Sequence, residues 1–171
     1  MIPTVPFDDV IDRKGQEFNI LLKYIGKASI LSSLPYLTYT SGPPGVRKTF
    51  TVKTTSKYFK LPLYSISAGK LIINYGDSNA LKQQLKIVFK IAKHFNTVLL
   101  LDEADAFIEQ HISYYNTHNR LVTIFLRKLE YYQGILFLTS NRGIQFNNAI
   151  LSRIHLIIEY ENLTREFRRE L

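Results

Sequence analysis

The chain has 171 residues, 46% of them apolar and 21% charged, which suits one folded domain with its own core and argues against a disordered tail. Its 22 Lys and Arg against 14 Asp and Glu give +8. There is no cysteine, so disulfide frameworks, thiolate metal sites and cysteine nucleophiles are excluded.

The opening stretch Met1 to Asp9 has neither a basic n-region nor an apolar h-region, so no secretory signal is expected. Tyr36 to Thr40 is a short strand-like run ending at Gly-Pro-Pro-Gly. Thr49 to Phe59 reads as a helix, although β-branched Thr51, Val52, Thr54 and Thr55 are mediocre helix formers. Leu63 to Ile66 is the next strand. Leu81 to Phe95 is the clearest helix: Leu81, Leu85, Val88, Phe89 and Ala92 recur at helical spacing, while Lys82, Lys86, Lys90 and Lys93 form a separate stripe. Thr97 to Leu101 is a continuous apolar run, the pattern of a parallel strand covered on both faces.

Arg120 to Tyr132 reads as a helix with Leu121, Ile124, Phe125 and Leu129 inward, stopped by Gly134. Ile135 to Thr139 and Ile154 to Ile158 supply two further strands. Strands alternating with helices predict an α/β fold with a mainly parallel sheet. The longest apolar runs, Val98 to Leu101 and Ile135 to Leu138, are far too short to span a bilayer, so an intracellular soluble domain is expected.

The charge is concentrated. Arg47 to Lys93 holds ten basic residues against one acid, Asp77, for a net +9, so the rest of the chain sums to −1. Such a block suits nucleic acid or an acidic partner. Solvated surface around a phosphate site explains it with fewer assumptions, because no helix-turn-helix, RNA-recognition or zinc signature accompanies it.

Within that block, Gly42-Pro43-Pro44-Gly45-Val46-Arg47-Lys48-Thr49 follows the first strand. Glycines let backbone N–H groups point inward around a phosphate without Cβ atoms in the way. A lysine then meets the β- and γ-phosphates, a hydroxyl helps to hold Mg2+, and the next helix offers its N-terminus to the anion. Glycine is the expected residue where this chain has Arg47. If the position requires positive φ, a Cβ there costs roughly 1–2 kcal/mol, enough to weaken nucleotide binding about tenfold or somewhat more.

The run Val98-Leu99-Leu100-Leu101-Asp102-Glu103-Ala104-Asp105 puts carboxylates at the C-terminal end of a buried strand, the edge at which open α/β sheets bind ligands. There Asp102 is placed to hold Mg2+ through its water shell, and Glu103 to polarise a water for attack on the γ-phosphate. No Asn-Lys-x-Asp element occurs, which disfavours guanine recognition.

Taken together, Gly42 to Thr49 and Leu99 to Asp105 resemble the AAA+ ATPases, whose loops often read Gly-Pro-Pro-Gly and whose acidic motif often reads Asp-Glu-Ala-Asp. Further matches follow in order. Leu136-Phe137-Leu138-Thr139-Ser140-Asn141-Arg142 resembles the family's sensor-1 strand, which implies that Asn141 orients the attacking water. Ala149-Ile150-Leu151-Ser152-Arg153-Ile154 resembles the segment carrying the arginine finger, with Arg153 as its match. Phe7-Asp8-Asp9-Val10-Ile11 is similar to the entry segment of many AAA modules. Residues 61–171 resemble AAA proteins of filamentous fungi that carry Asp-Glu-Ala-Asp, Leu-Glu-Tyr-Tyr and Ser-Arg-Ile-His.

The resemblance implies a P-loop NTPase, with a five-stranded mainly parallel sheet flanked by helices, over a single domain of residues 1–171. Residues 1–35 would be an entry helix segment, 36–160 the core and 161–171 a truncated tail. It implies ATP with Mg2+ as ligands, loop residues 42–49 on the phosphates, and a homo- or hetero-oligomer in which Arg153 acts in trans on a neighbour's nucleotide. It also implies a macromolecular substrate. The chain ends 18 residues after Arg153, so the family's helical lid is expected to be missing, and Arg165, Arg168 and Arg169 are expected to face solvent. With Arg47, this motivates the alternative of a degenerate, non-catalytic subunit acting as an interaction module.

Tyr75-Gly76 stands where many AAA proteins place an aromatic pore loop, but an ordinary turn is the simpler expectation. His94, His111, His118 and His155 show no metal-ligand spacing.

Overall fold

The apolar runs become the strands of one parallel sheet. The computed structural model describes residues 4–6, 36–75, 77–108, 117–142 and 148–160. In chain order the elements are β1 (Thr4–Pro6), β2 (Tyr36–Ser41), α1 (Lys48–Tyr58), β3 (Leu63–Ser67), α2 (Ala68–Asn74) and α3 (Ser78–His94). They continue with β4 (Val98–Asp102), α4 (Asp105–Ile108), α5 (Thr117–Leu129), β5 (Ile135–Ser140), α6 (Asn148–Leu151) and β6 (Leu156–Glu159). The sheet order is β1-β6-β2-β5-β4-β3, and all neighbours are parallel. Five of these strands are the expected core. The sixth, β1, adds a three-residue edge beside β6, within the stretch 1–35 expected as an entry helix segment.

Side-chain alternation explains why the strands read as unbroken apolar runs. Leu37, Tyr39, Leu99, Leu101, Leu136 and Leu138 point to one face, under α2, α3 and α5. Tyr36, Val98, Leu100, Ile135, Phe137 and Ile158 point to the other, where Val46 and Val52 of the loop and α1 meet them. Both faces are therefore dry, and no position on β4 from Val98 to Leu101 exposes measurable surface. Fully burying each leucine contributes about 1.5–3 kcal/mol.

The helices mostly follow the expected spans, with shifts of register at their starts. α3 begins at Ser78, three residues before the first periodic leucine, because the Asp77 carboxylate accepts from the N–H groups of Asn79 and Ala80, both at 3.0 Å. Its apolar stripe packs inward, and Lys82, Lys86 and Lys90 stand exposed as their spacing predicts. Lys93 donates to Gln133 Oε1 at 2.7 Å. α2 was not foreseen: Gly69 and the β-branched pair Ile72-Ile73 hide it, and its cap is Ser67, whose Oγ accepts from Lys70 N–H. The Phe7–Ile11 segment, Gly76, His111, the 161–171 tail with its arginines, and the side chains of Leu121 and His118 lie outside the described residues. Among the described residues no helix is long and apolar enough to cross a membrane.

At the N-terminal edge of the sheet, His155 and Leu37 exchange two hydrogen bonds. Leu37 N–H donates to His155 Nδ1 at 3.2 Å, and His155 N–H donates to Leu37 O at 2.8 Å. Only a neutral imidazole accepts at Nδ1, and burial holds the His155 pKa below its ordinary value. The unfolded chain thus takes up the proton more readily than the fold. This contribution to stability is complete above the ordinary histidine pKa of about 6.5 and is lost as pH falls toward the folded value. Thermal melts at pH near 7.5 and near 5.5 should show a drop that His155→Asn, which keeps an acceptor but does not titrate, makes smaller. An unchanged drop would assign it to other groups.

Candidate functional site

The strand order makes β2 the place where connections diverge: the chain leaves β2 for the far edge at β3, returns through β4 and β5, then crosses to β6 on the other side of β2. In parallel sheets a crevice opens at the carboxyl ends of the strands at such a point. The Gly-Pro-Pro-Gly loop emerges from β2 there and feeds directly into α1.

Three loop positions take positive φ: Gly42 at 144°, Gly45 at 87° and Arg47 at 66°. Arg47 is the N-cap of α1 and its backbone is left-handed, the conformation that glycine takes without a Cβ cost. The arginine is already left-handed, so the roughly 1–2 kcal/mol cost of its Cβ falls on folding rather than on ligand binding. At Gly42 the constraint is contact as well as φ. A Cβ there would lie 2.5 Å from Tyr160 O and 2.6 Å from Tyr160 Cβ. Gly42→Ala is therefore expected to destabilise the domain by at least about 2 kcal/mol, seen as a fall in denaturation midpoint. A neutral result would mean that Tyr160 yields freely.

Lys48, the first residue of α1, is 7% exposed and turns its ammonium back into the loop. Nζ donates to Gly42 O at 2.7 Å, Pro43 O at 2.8 Å and Asn141 Oδ1 at 2.9 Å. Burial lowers its pKa, and the nearby carboxylates of Asp102 and Asp105 oppose that shift. The loop, the start of α1 and the end of β5 are thereby tied at one cation.

Beside them stands the end of β4. Thr139 Oγ1 of β5 donates to Asp102 Oδ1, and Glu103 N–H reaches Asp102 Oδ1 at 3.2 Å and Thr139 Oγ1 at 3.3 Å. Glu103 itself is left-handed at φ 56°, which swings its exposed carboxylate away from the strand direction. Ser67, at the end of neighbouring β3, donates from Oγ to Glu103 Oε2 at 3.0 Å. Ser140 Oγ donates to Asp105 Oδ1. None of Ser67, Thr139, Ser140 or Asp105 was picked out as a site residue from sequence. The available signal was that β4 and β5 each end in polar residues after an apolar run; β3, Leu-Tyr-Ser-Ile-Ser, gives no such signal.

Pro44, Gly45, Arg47, Lys48, Thr49, Asp102, Glu103 and Asn141 line one cleft of about 290 Å3. Every sequence-predicted candidate has a place relative to it. Gly42 and Pro43 contribute carbonyls to Lys48, whereas Val46 is 4% exposed and packs into the core. Arg153 is elsewhere. It pairs with Glu130 and borders a different cavity, with Leu37 and His155, at the amino ends of the strands.

The cleft's chemistry is that of an anion site flanked by hard oxygen donors. Thr49 brings a hydroxyl, and Asp102 has one oxygen fixed by Thr139, with Oδ2 making no hydrogen bond among the described residues. Two protein oxygens are a small set. This suits Mg2+, which keeps waters and takes further oxygens from phosphates.

Comparison with known proteins adds independent findings. The family described as "ATPase family associated with various cellular activities (AAA)" matches residues 38–162, well over half of the chain. No curated protein matches. Two solved structures share the fold. One is a chain of the HORMA:CdnC:Trip13 complex of E. coli MS115-1, with TM-score 0.62 and 16% identity over 90% of this chain and 59% of that one. The other is the crystal structure of the FIGL-1 AAA domain, with TM-score 0.67 and 20% identity over 88% of this chain and 51% of that one. The chain thus spans between half and three-fifths of the length of these two structures.

Proposed function

The chain belongs to the ATPase family associated with various cellular activities, and from that premise we propose that its cleft binds ATP with Mg2+ and hydrolyses the γ-phosphate. The observation that carries this reading is the convergence of Lys48, Asp102, Glu103 and Asn141, from the ends of three different segments, on one small cleft beside the glycine loop. Lys48 exchanges its loop carbonyls for β- and γ-phosphate oxygens. The loop amides, Arg47 and Thr49 surround the phosphate chain. Thr49 and, through water, Asp102 would hold Mg2+, which when bound would supply charge neutralisation for the leaving diphosphate. Glu103 takes a proton from the attacking water, and Asn141 orients that water.

Arg153 is proposed to act in trans, in a homo- or hetero-oligomer, since its place at the opposite end of the strands keeps it from its own cleft. Coupling to a macromolecular substrate, and the likeness of residues 61–171 to filamentous-fungal AAA proteins, belong to the same proposal and rest on the motifs given above.

One observation favours a second reading, a non-catalytic subunit: a non-glycine residue stands in the left-handed seat of the loop. Titration with a fluorescent ATP analogue separates the two. On the catalytic reading, Arg47→Gly changes affinity by less than about threefold and stabilises the fold by about 1 kcal/mol, the left-handed cost relieved less the entropy glycine adds. A gain of about tenfold or more, from weak binding to tight, would favour the degenerate subunit.

A further inference from the structure

A residue more than a hundred positions away in the sequence packs against the glycine loop. Tyr160, directly after β6, touches the start of the loop and the first turn of α1 that follows it. Its N–H donates to Ser41 O at 2.8 Å, its Cβ and carbonyl lie against Gly42, and its phenol donates to Thr51 Oγ1 at 2.6 Å. Thr51 N–H in turn donates to Arg47 O at 3.2 Å. An unbroken series of contacts therefore runs from Tyr160 through the first turn of α1 to the single non-glycine loop residue held at positive φ. Tyr160 and Thr51 are each 3% exposed, so water does not compete for their bond.

We propose that Tyr160 is a positioning residue whose hydroxyl, acting through Thr51, holds Arg47 left-handed and so compensates in this chain for an arginine in a glycine seat. With glycine the left-handed conformation carries no Cβ cost and needs no buttress. With arginine the loop lowers its energy by relaxing toward negative φ. That rotation moves the Arg47 carbonyl, breaks its bond to Thr51 N–H and draws the first turn of α1 off Tyr160. The inference concerns loop shape, and only its consequence for phosphate affinity rests on the function proposed above.

Residue-resolved amide hydrogen exchange on the wild-type chain, Tyr160→Phe, Arg47→Gly and the double variant tests it. With Arg47 present, losing the hydroxyl should speed exchange at the Thr51 amide about fivefold, the usual net worth of one hydrogen bond, and leave the β4 amides unchanged. In the Arg47→Gly background the same loss should change exchange by less than about twofold. Thr51→Val removes the acceptor from the other side and should reproduce the first result. Equal acceleration in both backgrounds, none in either, or loss of β4 and β5 protection in both Tyr160→Phe and Thr51→Val would overturn the proposal.

A fluorescent ATP analogue titrated on the same four proteins keeps the two readings apart. No binding by any of them, with the exchange pattern intact, removes the proposed function and leaves this inference standing. Binding by all four without background-dependent exchange does the reverse.

Discussion

Glu103→Gln is expected to lower ATP turnover by about 10²–10⁴-fold while leaving ATP affinity within a few-fold. The substitution is nearly isosteric and keeps the same left-handed backbone at φ 56°. Its amide oxygen still accepts from Ser67 Oγ, now 3.0 Å from Oε2, so the side chain stays in place. What is lost is a group able to take a proton from water. Binding, proposed to rest on the loop, Lys48 and Asp102, has no reason to change. Phosphate release measured beside analogue titration checks both halves. Retained turnover would move the base elsewhere, and a parallel collapse of affinity would make Glu103 a binding residue instead.

Lys48→Ala is expected to weaken ATP-analogue binding by about a hundredfold or more, the upper range for a hydrogen bond to a charged group. Two effects add. The phosphates lose their nearest buried cation, and Asp102 and Asp105 lose the charge that offsets them in the empty cleft. The loop also loses the donor that ties Gly42 O and Pro43 O to Asn141. Lys48→Arg separates the contributions: it restores charge but presents a planar fork in place of a compact ammonium, so binding should recover only in part. Isothermal titration with the same analogue gives the answer, and affinity unchanged in Lys48→Ala would place the phosphates outside this cleft.

The parts of the site that were legible in sequence are those whose chemistry is contiguous. Gly42 to Thr49 carries glycines, lysine and hydroxyl within eight residues, and Asp102-Glu103 directly follows an apolar run, so strand, turn and polar group announce one another locally. Arg47 illustrates the limit. The sequence shows that it occupies a glycine seat, but only the backbone shows that the seat is left-handed. Ser67 and Thr139 were illegible for another reason. A serine or threonine at a strand end is ordinary until the neighbouring strand is known, and here Ser67 lies beside Asp102 across β3 and β4, while Leu101 pairs with Leu138 and so brings Asp102 to Thr139.

The sequence alone determined the five core strands with the helices after β2, between β3 and β4 and before β5, the double burial of β4 and β5, and the glycine-rich loop with its lysine and hydroxyl, because period and turn chemistry act over neighbouring residues. The short β1, α2, α4 and α6 were not among them. Tertiary structure decided that Asn141 meets Lys48 across 93 positions, that Tyr160 reaches Thr51 across 109, and that Arg153 stands at the other end of the strands. Parallel strand order and register are set by packing summed over both faces of the sheet, a property of the whole fold that no local window of residues contains.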